Sequence, residues 1–335
     1  MHRSEWFARV ALLFILLLLP IAILVYQYGL RPLSTGTRII DIRASVPEAG
    51  GFQPASLQVQ AGETVTLRFS STDVTHGIAI GPGLGVDLGQ VDPGQVKEVT
   101  LTFDHAGTYT FYCNTWCSLN HWRMRGVLEV RDQMNRMPTP QRDPVIEALA
   151  TAGIDIDAGL HETAEPMTMT LTPVVKPAAE RGEVLLNRLS LPPALSDADW
   201  RRSHTPQEAI TLLATLNPNT SEAELADAVA YLWTQSGSTT LAKDLYAKNC
   251  AACHGQTGGG DGPFAATTAK KPVAFADVAY MFTRRGDVLY AKIRRGGMGT
   301  DMPNFGTLFT PEETWALVDY LWSLALNPAA AAVGH

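Results

Sequence analysis

All four cysteines of this chain fall in two close pairs, Cys113 with Cys117 and Cys250 with Cys253, and a histidine follows each pair within a few residues. A disulfide-stapled secreted domain uses more cysteines at scattered spacings. Pairs at short, fixed spacing point to metal or haem chemistry, so each surrounding region must fold in a way that brings ligands together. The 335 residues suffice for two or three domains. With 46% hydrophobic and 18% charged residues, a disordered or fibrous chain is excluded. A net charge of −7 argues against nucleic acid as a partner. The excess is local, since residues 131–238 hold 15 acidic against 8 basic side chains.

Between Arg9 and Arg31 lie 21 consecutive uncharged residues, mostly Leu, Ile, Val and Ala. A helix of that length matches a hydrocarbon core of about 30 Å. Trp6, Phe7, Tyr26 and Tyr28 flank it like interfacial aromatic belts. A cleaved signal peptide is the alternative, but the run is longer than a signal core and no Ala-x-Ala site follows. Arg3 and Arg9 favour a cytoplasmic N-terminus. The expectation is a membrane anchor and stalk over residues 1–36, with everything after it exported.

Residues 37–131 read as short alternating strands, among them Leu57–Gln60, Thr64–Phe69, Val96–Phe103 and Thr108–Tyr112, punctuated by Gly and Pro. Six or more such strands predict a β-sandwich or barrel. A Pro-rich linker with one short helix follows over 132–177. Residues 178–238 and 239–335 then read as two copies of a helical module. Ser221 and Thr310 each begin a segment as N-cap, with Glu224 and Glu313 three residues on and Tyr-Leu-Trp near the end.

In the β-domain, Cys113-x3-Cys117-x3-His121-x2-Met124 follows directly on a strand, with His76 upstream. Thiolate, imidazole and thioether suit copper. One Cys would serve a single blue copper, whereas two bridging thiolates can hold two coppers side by side. Each copper then takes one His, with Met124 and a backbone carbonyl as weak axial ligands. This segment, Cys113-Asn-Thr-Trp-Cys117-Ser-Leu-Asn-His121-Trp-Arg-Met124 with His76, resembles the binuclear CuA site of subunit II of heme–copper oxidases. The resemblance implies a cupredoxin fold and the ligands His76, Cys113, Cys117, His121 and Met124, with the Thr115 carbonyl. Mitochondrial-type subunits place Glu where Thr115 stands, and carry two transmembrane helices and an aromatic cluster before the copper domain. The one-helix form is more similar to B-family oxygen reductases. His105 reads as a turn residue, and Arg123 and Arg125 as exposed or facing a membrane partner.

Cys250-Ala-Ala-Cys253-His254 is the c-type haem attachment signature. The glycine-rich run ending at Pro263, and Met302 in Asp-Met-Pro-Asn-Phe, resemble class I cytochromes c. That resemblance implies one covalently bound haem c, with His254 and Met302 on the iron and the Pro263 carbonyl orienting His254. Met302 is preferred to Met298 because Pro303 holds it extended, while glycines flank Met298. The middle copy has no cysteine and carries Leu213 at the Met302 position, so it reads as a degenerate, haem-less module. His161 and His204 read as loop residues. The basic cluster Arg284, Arg285, Lys292, Arg294 and Arg295 docks an acidic donor or faces the acidic middle module.

The expected fold class is therefore multidomain: one N-terminal transmembrane helix, an all-β cupredoxin sandwich, and all-α cytochrome c modules. The resemblances imply a subunit through which electrons enter a membrane heme–copper terminal oxidase, itself without a catalytic site. Its partners would be a multi-helix heme–copper catalytic subunit I, the membrane, and an external donor, a cytochrome c or small copper protein. The setting would be a bacterial inner membrane, single-pass, with redox domains on the periplasmic side. Two other readings stay open: the same relay in a nitric oxide reductase, and a free-standing membrane electron carrier.

Overall fold

A computed structural model describes residues 3–26, 28, 37–118, 120–139, 142–157, 176–236 and 239–327. The first element, α1 (Arg3–Val25), contains Pro20 and exposes Leu12 through Leu19. Among the described residues, no helix is long and apolar enough to cross a membrane. The membrane-spanning helix is thus not supported there.

Residues 38–131 form two packed sheets. The first holds β1 (Arg38–Ala44), β2 (Phe52–Gln53), β4 (Thr64–Ser71) and β7 (Val96–Thr102), in the order β2-β1-β4-β7. The second holds β3 (Ser56–Gln60), β5 (His76–Gly81), β6 (Val86–Val91), β8 (Gly107–Cys113) and β9 (Arg125–Arg131), ordered β3-β9-β8-β5-β6. β1 runs parallel to β4 and β3 parallel to β9, and the other pairings are antiparallel. Period-2 alternation explains which side chains are inside: in β3 only Leu57 and Val59 are buried. Phe52, Phe69 and Phe111 meet edge-on or tilted at 5.1–6.2 Å in the space between the sheets.

After the sandwich, α2 (Pro144–Thr151) is capped by Asp143, which accepts from the Val145 and Ile146 amides. The helical half then runs through α3 (Ala179–Leu186), α4 (Ala198–Ser203), α5 (Pro206–Leu216), α6 (Glu222–Thr234), α7 (Thr240–Asn249), α8 (Ala251–His254), α9 (Val278–Phe282), α10 (Gly286–Arg295) and α11 (Pro311–Leu326). The repeated N-termini form as their sequences require. Ser221 with Glu224 and Thr310 with Glu313 each close a full capping box. The two repeats are not separate bodies, however. Leu195, Leu213, Val229 and Trp233 of the first lie in the same buried cluster as Tyr246, Tyr290 and Tyr320 of the second.

Four of the five side chains of the basic cluster pair with acids of the linker or of their own helix. Arg294 pairs with Asp143 at 2.5 Å, and Asp157 pairs with Arg295 and, at 3.7 Å, with Lys292. Arg285 pairs with Asp287 at 2.6 Å. Two acids of the linker region therefore neutralise much of that charge. Leu149 and Ile156 bury against Ala291 beside them.

Candidate metal centres

The copper ligands proposed from the sequence come together where β5 and β8 pair. His76 opens β5 and Cys113 closes β8, with Ile78 opposite Cys113 in the register. Backbone bonds stitch the loop to both neighbours: Cys113 donates to the Met124 carbonyl at 3.1 Å and Asn114 to that of Gly77 at 3.2 Å. A Cβ at Gly77 would lie 2.1 Å from Asn114 Oδ1 and 2.4 Å from Thr115 Oγ1, so a larger residue there would displace the side chains between the two cysteines. His121 sits on a single 3-10 turn, His121–Arg123, and its carbonyl accepts from Met124.

The sulfur atoms of Cys113 and Cys117 are 4.0 Å apart, twice the length of a disulfide bond, so both cysteines are free. His76 Nδ1 lies 3.9 Å from Cys113 Sγ and His121 Nδ1 3.9 Å from Cys117 Sγ. Met124 Sδ is 3.8 Å from Cys117 Sγ, and the Thr115 carbonyl 3.0 Å from Cys113 Sγ. Two thiols each face one imidazole, and the thioether and carbonyl stand at the flanks. His76, Cys113 and Cys117 present ligand atoms within 4.8 Å of one another. This donor set fits a pair of soft cations sharing two thiolates. His76 is fully buried and its Nε2 donates to Asp73 Oδ1 at 2.8 Å, which leaves Nδ1 as the ligating nitrogen. The sequence stretch from Asp73 to His76 held this carboxylate, but only the fold shows that it turns back onto the ring.

Cys250, Cys253, His254 and Met302 line one cavity of about 450 Å³. His254 Nδ1 bonds to the Val273 carbonyl at 3.1 Å. The orienting carbonyl is therefore that of Val273 and not of Pro263, because the chain after Pro272 passes the ring. Burial lowers the His254 pKa despite that bond, so the imidazole is neutral and ready to bind iron. Burial also pushes the Cys250 thiol up to about 12. A Cβ at Gly262 would lie 2.4 Å from the Ala252 carbonyl, which accounts for a glycine tight against the attachment helix α8. Met302 is half-buried on the cavity wall, whereas Met298 is 61% exposed. Two cysteines, a neutral histidine and a thioether around one largely apolar space fit a c-type haem.

The two centres adjoin. Cys113 and His121 line the same cavity as the haem-attachment residues. Trp116, between the copper-loop cysteines, stacks on Phe264 with ring centroids 3.1 Å apart and planes 18° from parallel. Ala79 and Tyr112 of the sandwich bury in the helical core, and Gly81 lies so close that a Cβ would meet the Leu308 carbonyl at 2.2 Å. Arg125 Nη1 donates to the Asn304 carbonyl at 2.6 Å, and burial pulls its pKa down to about 10. None of these partners is marked by a motif.

Other histidines stay apart from these centres. His105 is exposed in its turn, with its carbonyl near Tyr109 Oη at 3.3 Å. His204 stacks on Trp200 and bonds to its carbonyl. His161 lies outside the described residues.

Residues 18–130 match the family model of a cupredoxin-like domain, and residues 240–325 that of cytochrome c. The chain thus joins a cupredoxin-like domain to a cytochrome c domain. A quarter of it is similar to cytochrome c oxidase subunit 2. It is 35% identical over 84 residues, 25% of this chain, to that subunit of Thermus thermophilus, and the match covers 61% of the relative. A second such subunit, from a named strain of the same species, matches at the same identity over 49% of its length. The chain therefore spans about half to three-fifths of these relatives. Among solved structures, a heme-copper terminal oxidase dimer is similar over 38% of this chain and 100% of that chain, at 23% identity and TM-score 0.26. The periplasmic domain of subunit II of a Bradyrhizobium japonicum cytochrome oxidase is similar over 29% and 86%, at 18% identity and TM-score 0.24.

Proposed function

We propose that this chain is the subunit through which electrons enter a membrane heme–copper terminal oxidase: from an external donor, by haem c and binuclear CuA, to a catalytic subunit I. The observation that carries this reading is the shared cavity, on which Cys113 and His121 stand beside Cys250, Cys253, His254 and Met302. Bound there, a haem c and a copper pair each supply a one-electron couple without a proton to move. The residues do the rest. Met302 and His254, which line the cavity, would hold the iron of a haem bound there and leave it an electron carrier closed to oxygen. The sandwich walls exclude water from His76 and Met124, which are buried. Trp116 and Phe264 close the gap between the two loops with a conjugated contact. Within this reading the run from Arg9 to Arg31 anchors the chain in a bacterial inner membrane, with the redox domains on the periplasmic side.

The test is the complex purified from the membrane, assayed for metal content and for oxygen and nitric oxide turnover. Two coppers and one c-type haem per chain, with oxygen consumption, support the proposal. Turnover of nitric oxide alone would assign the relay to a nitric oxide reductase, and a chain that purifies without a catalytic subunit would make it a free-standing carrier.

A further inference from the structure

Arg125 opens β9 directly after the copper-side residue Met124, yet its guanidinium lies on the wall of the cavity that Cys250, Cys253 and His254 line. Its Nε donates to the Trp122 carbonyl at 3.1 Å, and its Nη1 to the Asn304 carbonyl and Oδ1 at 2.6 and 3.0 Å. The guanidinium sits 5.5 Å from the Phe305 ring. Nη2 donates to nothing among the described residues, and no described carboxylate pairs with this half-buried cation. The other charges around the cavity are engaged or exposed. Lys248 pairs with Asp87 and Lys292 with Asp157. Lys271 and Arg123 are exposed. Asp301, the acid on this wall, accepts from the Ala269 amide at 2.6 Å.

A half-buried guanidinium held by three neutral oxygens on the wall of a largely apolar cavity, with Nη2 without a hydrogen-bond partner among the described residues, is a site for a carboxylate. Haem brings two carboxylates, its propionates, and a carboxylate in apolar surroundings is costly unless paired. Resting on the haem c reading above, we infer that Arg125 of the copper domain binds a haem propionate across the domain boundary. The haem is then attached covalently by one domain and held electrostatically by the other. Because Arg125 follows Met124 in the chain, the backbone next to a copper ligand also carries the haem's counter-charge.

The experiment compares the full-length holoprotein with Arg125→Gln, Arg125→Lys and Lys271→Gln. Three quantities are read: pyridine haemochrome, the resonance Raman propionate band, and the haem midpoint potential. With one haem c present throughout, Arg125→Gln is expected to shift the propionate band and lower the potential, since loss of a nearby cation favours the ferric state. Arg125→Lys should shift the band, because the fork is lost, yet retain most of the potential. Lys271→Gln removes an exposed cation of the same cavity wall and should leave the propionate band in place. Should the Gln variant fail to fold, the band in the Lys variant decides. An unshifted band in either Arg125 variant, or a Lys271→Gln variant that reproduces the Arg125→Gln band shift, overturns the inference. Absence of haem c in the wild-type chain would instead overturn the reading beneath it.

Discussion

Lys248 Nζ lies 2.8 Å from Asp87 Oδ2, and the same oxygen accepts from Asn114 Nδ2 at 3.1 Å. Lys248 stands two residues before Cys250 and Asn114 directly after Cys113. One carboxylate therefore ties both metal loops together. Burial would raise the Asp87 pKa, yet Lys248 and the Gly89 amide hold it below the usual carboxylate range.

Asp87→Asn is expected to loosen the docking of the two domains. Both partners are partly exposed, so the cost is modest, roughly 0.5–1 kcal/mol. It should be seen as a lower melting temperature above pH 5 that converges with wild type as Asp87 is protonated in acid. Differential scanning calorimetry against pH measures this, and a gap that persists unchanged at pH 3 would count against the bridge.

Cys113→Ser and Cys117→Ser should each abolish the mixed-valence electron paramagnetic resonance signal of a copper pair while leaving the haem spectrum intact. Each sulfur faces one imidazole at 3.9 Å, so removing either unmakes the bridge. A variant that keeps the signal would show that the thiolates do not share the metals.

Met302→Ala should lower the haem potential and erase the methionine-ligated spectrum, and Met298→Ala should change neither. Met302 lines the cavity and Met298 is exposed. The opposite result, read by redox titration, would exchange their roles.

Asp319 on α11 has its pKa raised to about 6 by burial, against the opposing pull of Arg202. A carboxyl held protonated in the fold stabilises it fully below about pH 4, and that contribution is lost as pH rises through 6. Asp319→Asn should therefore leave stability at pH 3 nearly unchanged and raise it by about 1–2 kcal/mol at pH 8. Denaturant melts at the two pH values check the sign.

Much of this arrangement was legible in the residues, for physical reasons that differ from place to place. Period-2 alternation marked β3 and β7 because one face of each is the drier, whereas β4 and the end of β8 bury both faces. The ligand segment was readable because copper and haem need fixed residue types at short spacing. The capping boxes at Ser221 and Thr310 were readable because they are local. What failed to show was non-local. No spacing rule brings Val273 rather than Pro263 to His254, or Asp143 and Asp157 to the basic cluster. Two helical modules also repeat in sequence yet share one core, because neither buries its apolar faces alone.

Rapid mixing of the fully loaded, oxidised chain with a one-electron donor, recorded at the haem and copper bands, tests the central claim most directly. The relay requires that haem reduction be followed by haem reoxidation as the copper band bleaches, at a rate independent of protein concentration. A haem that stays reduced beside oxidised copper, or a second phase whose rate scales with concentration, would contradict it.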